Sequence, residues 1–160
     1  MKKIIKIACL SLVCSSAFAF TPLGSVNPNV TQSNISTTIC VPNWTSTIRP
    51  PVSYTNKLKV KQIKALGYKD TNMSHYEEDH FIALGIGGHP TDPDNLFPQP
   101  YAGECGAKAK DKLETKLHDM VCKRQMNLVN AQKEMKTNWV AAYNKYVPTR
   151  KNGLTKLTCK

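Results

Sequence analysis

The stretch YEEDHFIALGIGGHP, residues 76–90, sets three acids directly before His80 in a chain whose formal charge is +11. Asp79 and His80 are of the two types that phosphate chemistry needs side by side. A carboxylate is a hard oxygen ligand for Mg2+ or a similar divalent ion. A neutral imidazole accepts a proton from water near neutral pH. Asn95 follows fifteen residues later, where it could fix the geometry of a hairpin or hold the imidazole in position. Glu77 shares strand parity with Asp79 and is read either as a supporting carboxylate or as a solvent-facing acid, and Glu78 points the other way.

The charge balance favours a polyanionic partner. Lys2, Lys3 and Lys6 precede an apolar run that ends in Ala17-Phe18-Ala19, which reads as a signal peptide over 1–19 cleaved near Ala19. Without those lysines the remainder is still strongly basic. The expected destination is the periplasm or the outside medium, and no later stretch is long and apolar enough to span a bilayer. Cys40, Cys105, Cys122 and Cys159 then form an even set in an oxidising compartment, which implies two disulfides with three possible connectivities. No C-x-x-C pair is present among them, so a zinc ribbon has little support.

The elements that must position Asp79 and His80 are legible from pattern. Residues 20–39, rich in Ser, Thr, Asn and Pro, read as a flexible leader. Thr55 is a candidate N-cap for a short helix that stops at Gly67 and carries Lys57, Lys59, Lys61 and Lys64 on a basic outer face. Residues 75–86 read as two short strands around a bend ended by Gly87-Gly88, HPTDPDN as a loop, and LFPQPYAGECG as irregular. A helix over 107–122 buries Ala109, Leu113, Leu117 and Val121, and another over 128–146 buries a face with Leu128, Ala131, Met135, Trp139, Ala142 and Tyr146.

DH, an apolar strand, LGIGG, a polar loop, NL and a following helix together make a hairpin plus helix that resembles the HNH endonuclease family with its ββα-metal fold. The order CVPNWTSTIRPP, YEEDHFIALGIGG, PTDPDNLFPQP, AKDKLETKLHDMVC and AQKEMKTNWVAAY is similar to a group of secreted bacterial HNH-type proteins over about two thirds of the chain. The resemblance implies an α+β fold with flanking helices, a single nuclease domain over 40–160, and a metal-dependent endonuclease acting on nucleic acid, DNA ahead of RNA, as a monomer. It makes His80 the general base, Asp79 a ligand of one divalent ion (Mg2+, with Mn2+ or Zn2+ as substitutes), and Asn95 the residue that orients the loop and the histidine. It also implies pairing of Cys40 with Cys122 and of Cys105 with Cys159.

The family's third position, an Asn or His early in the helix, has no clean counterpart. Glu104, Asp111, Glu114 and His118 are the candidates. Asp111 lies about 200° around the helix from Leu113, whereas Glu114 lies about 100° away and flanks the buried stripe, so Glu114 is the expected second ligand. Lys108, Lys110, Lys112 and Arg49 are the candidate contacts to the nucleic-acid backbone. Two rival functions remain in view: a noncatalytic polyanion binder on the same scaffold, and an interaction module at the cell surface.

Overall fold

Asp79 and His80 end the first of two antiparallel strands in the computed structural model, which describes residues 24–147 and 156–159. The signal peptide expected over 1–19 and the first residues of the leader lie outside the described residues. Strand β1 spans Tyr76–His80 and β2 spans Leu96–Pro100, in the register Asp79↔Phe97 and His80↔Leu96. Among the described residues four α-helices accompany the hairpin: α1 (Trp44–Ile48), α2 (Val52–Ala65), α3 (Ala107–Cys122) and α4 (Leu128–Tyr146). The class is α+β, as expected.

The second strand corrects the expectation of two strands within 75–86. Only β1 is extended there, and Leu84–Ile86 form a single 3-10 turn instead. The partner strand falls in LFPQP, a segment whose prolines argue against a strand. Tyr101 N–H donates to the His75 carbonyl at 2.9 Å, so odd-numbered N–H groups on this strand face β1. Pro98 and Pro100 therefore put their missing donors on the outer edge, where no ladder bond is lost.

The leader is also corrected over its described part. Val30, Ile35 and Ile39 are buried in the main core, Val26 bridges to Gly88, and Asn27 N–H donates to the Gly87 carbonyl at 2.8 Å. Three apolar residues and the tether at Cys40 bury enough surface to order a polar segment. Helix α2 begins at Val52, directly after the Pro50-Pro51 pair, and not at Thr55.

Helices α3 and α4 match their expected bounds and pack against each other. Leu113, Leu117 and Val121 of α3 meet Leu128, Ala131 and Met135 of α4 in the core, with Ile82 and Ile86 from the hairpin loop beside them. Each of the Leu, Ile, Val and Met side chains among them contributes about 1.5–3 kcal/mol on burial. Asn138 breaks the α4 geometry (φ −169°, ψ 94°), and beyond that kink Tyr143, not Tyr146, is the buried aromatic. Disulfides join Cys40 to Cys122 and Cys105 to Cys159, with Cα separations of 5.5 and 6.1 Å. Among the described residues no helix is long and apolar enough to cross a membrane.

Candidate active site

The loop from 81 to 95 is built around Asn95. Its side chain is fully buried: Oδ1 accepts from Ile82 N–H at 2.8 Å, and Nδ2 donates to the carbonyls of Ile82 (3.0 Å) and His89 (2.9 Å). Gly88 passes so close that a Cβ there would stand 2.9 Å from Asn95 Nδ2. Asn95 thus sets the loop, and the loop sets the histidine, because the carbonyl next along the chain, that of Pro90, lies 2.9 Å from His80 Nε2. A carbonyl only accepts, so Nε2 carries the proton of the neutral ring and Nδ1 keeps the free lone pair. Burial lowers the His80 pKa from its ordinary 6.5, with the Pro90 bond and the Asp79 carboxylate pulling it back up. The ring is therefore neutral at pH 7.

His80 lines a cleft of about 410 Å³. β1 contributes Glu77, Asp79 and His80, α3 contributes Asp111, Glu114 and His118, and the segment from Ile39 through Thr45 together with Arg49 forms a further wall. That wall is tied to α3 by the Cys40–Cys122 disulfide and by His118 Nε2, which donates to the Ile39 carbonyl at 2.9 Å. Glu78 is on the other side of the strand, toward α2, with both oxygens buried and unpartnered, and burial raises its pKa to about 8.

The expected site residues divide on this geometry. Asp79, His80, Glu114 and Arg49 come together at the cleft, as do Glu77 and Asp111. Glu104 is elsewhere, accepting from Thr158 N–H at 3.1 Å. Lys108 and Lys112 are exposed but border a different hollow, beside Tyr143 and Leu157. Lys110 is corrected outright as a backbone contact: it is fully buried. Its ammonium donates to Asp79 Oδ2 (2.8 Å), to the His80 carbonyl (2.6 Å) and to Glu114 Oε1. Lys59, expected on a basic outer face, is likewise buried and donates to the Tyr76 carbonyl at 2.8 Å.

Electrostatically the cleft is crowded with carboxylates. Burial pushes Glu77 up, the Asp79 and Asp111 carboxylates add to the rise, and Lys110 and Arg49 oppose it. Burial also raises Asp111 and takes Glu114 to about 7, against the pull of Lys110. Burial alone would lower the Lys110 pKa, but Asp79 and Glu114 raise it above its ordinary value, so the ammonium stays charged.

Asp79 and Glu114, the pair expected to hold a divalent ion, converge on this ammonium. Asp79 Oδ1 is also engaged, accepting from His80 N–H at 2.7 Å. So arranged, the pair does not fit a divalent ion, because a cation already stands between the two carboxylates. The signal for Lys110 was present in the spacing, since a lysine four residues before a glutamate on one helix is a natural ion pair.

Comparison of the chain with protein-family models, with curated proteins and with solved structures finds no significant match.

Proposed function

We propose that this protein is a secreted endonuclease of the HNH type, hydrolysing phosphodiester bonds of nucleic acid, DNA ahead of RNA. The observation that carries the reading is the state of His80: a neutral imidazole at the floor of an open cleft, its proton pinned at Nε2 by the Pro90 carbonyl and its Nδ1 left free. Nδ1 takes a proton from the attacking water as its oxygen bonds to phosphorus; the bridging P–O bond opposite breaks in the same displacement, and the leaving oxygen takes a proton from solvent. Arg49, which lines the same cleft, neutralises charge on the non-bridging oxygens as it builds in the transition state. Asp79 holds the His80 N–H and so keeps the imidazole in line. The same resemblance implies a divalent ion, which in a nuclease supplies charge stabilisation at phosphorus. The carboxylates present do not fit one while Lys110 lies between them, and no step here is routed through it.

Two disulfides support an oxidising destination, and the basic balance supports a polyanionic substrate. A noncatalytic polyanion binder is the second reading, favoured by the closed contacts of Lys110 with the expected ligand pair. His80→Ala separates the two. A nuclease loses cleavage and keeps salt-dependent DNA binding, whereas a wild-type protein that binds DNA and cuts none of it is the binder.

A further inference from the structure

We infer that Lys110 takes the place of a divalent cation in this site, so that its ammonium, and not a metal ion, holds Asp79 and Glu114 together and locks the backbone of His80. An ammonium has three N–H donors. Here the three go to Asp79 Oδ2, Glu114 Oε1 and the His80 carbonyl, with no exposed surface left on the residue. Its donor capacity is spent inside the site, and it has none to offer a phosphate.

Two bonds bracket the backbone of His80. Asp79 Oδ1 accepts from its N–H while Lys110 donates to its carbonyl, and Asp79 Oδ2 closes the ring of contacts back to Lys110. Lys110 is therefore a positioning residue acting through His80. A divalent ion placed between the same carboxylates would meet a fixed positive charge in direct contact with both. It could enter only by driving a fully buried ammonium from partners it cannot replace elsewhere in the core.

The test reads binding first, so it does not depend on activity. Mn2+ is titrated into the oxidised mature protein and its Asp79→Asn and Lys110→Met variants, followed by electron paramagnetic resonance of the free ion. The expected result is no saturable wild-type binding that Asp79→Asn removes, and a new one-to-one site in Lys110→Met, where two carboxylates have lost their counter-ion. Wild-type binding that Asp79→Asn abolishes overturns the inference, as does a Lys110→Met protein of native circular dichroism that gains no site. If Lys110→Met does not fold, the wild-type and Asp79→Asn titrations decide alone.

A second arm rests on the nuclease reading: wild-type cleavage retained in EDTA supports the inference, and cleavage abolished by EDTA and restored by Mg2+ contradicts it. A protein that cuts under no condition refutes the nuclease reading and leaves the binding arm standing.

Discussion

Replacing Asn95 by Ala should destabilise the protein by about 3–5 kcal/mol, with function failing beyond that loss. The magnitude follows from three bonds. Ile82 N–H, the Ile82 carbonyl and the His89 carbonyl all depend on the Asn95 side chain, at 2.8, 3.0 and 2.9 Å, in a spot with no solvent exposure. Each buried backbone group left unpaired costs about 1–3 kcal/mol, and water entering the small cavity would recover part of that. Urea unfolding of the oxidised protein measures it: at a slope of roughly 1.5 kcal/mol/M, the midpoint should fall by about 2–3 M.

Asn95→Asp sharpens the case. It keeps an acceptor for Ile82 N–H but turns both donor contacts into oxygen facing oxygen, so it should be less stable at pH 7 than at pH 4, where the carboxyl can still donate one bond. In conditions where Asn95→Ala is still folded, its catalytic rate should drop more than its KM rises, since the Pro90 carbonyl that orients His80 is held through the adjacent His89 contact. A midpoint shift under about 0.5 M, or full activity in the folded variant, would refute the view that Asn95 sets the loop and the histidine.

Further outcomes follow from the charges. Since burial places the His80 pKa below 6.5, kcat/KM should rise with pH through a midpoint below that value, and a midpoint above it in a pH-rate profile contradicts the assignment of base. Arg49→Ala should cut kcat/KM by about 10–100-fold through loss of a charge-assisted contact to phosphate; steady-state kinetics on a defined oligonucleotide reads it. Removing the Cys40–Cys122 disulfide as a paired Ser variant should reproduce that defect by releasing the wall that carries Arg49, with a stability loss of about 2–5 kcal/mol in urea. Glu78 binds its proton more tightly folded than unfolded, about 8 against 4.5, so unfolding free energy should fall as pH rises between those values and level off above. Glu78→Gln should flatten that slope and be the more stable protein at pH 8.5 by roughly 1–2 kcal/mol, a figure reduced for solvent screening because the residue as a whole is only half-buried although its oxygens are not exposed.

The two long helices were readable because their apolar spacing survives burial almost unchanged: Leu113, Leu117 and Val121 are core residues of α3, as their period requires. The same period misled at one position. A strict four-residue repeat extends the stripe back to Ala109, but 3.6 residues per turn points it at Lys110, which is the buried residue, while Ala109 is half-buried. Its residue type points a lysine to the surface, but three acceptors from β1 and α3 make a seat for it inside. Lys59 repeats the lesson, on the face of α2 that also buries Gln62 and Ile63.

Strand β2 was hidden by its prolines, whose outward edge is visible only once the register with β1 is known. The leader was hidden by its polar composition, since Val30, Ile35 and Ile39 are sparse in sequence and converge only when the chain turns over α3 and α4. Asp79, His80 and Asn95 are legible because they fall within one short stretch of chain, whereas the bonds that Asp79 and His80 accept from Lys110 of α3 are not. Arg49 reaches the cleft through a disulfide that joins residues 82 positions apart, a relation no local pattern contains.

The most direct test of the nuclease reading is the initial rate of supercoiled plasmid nicking by the oxidised mature protein, with His80→Ala prepared identically and both checked for native circular dichroism. The expected result is wild-type nicking that falls by about 10²–10⁴-fold in the variant, the range a general base supplies. Equal rates in the two proteins, or no cleavage of plasmid or of an RNA substrate by wild type with or without added Mg2+, would contradict it.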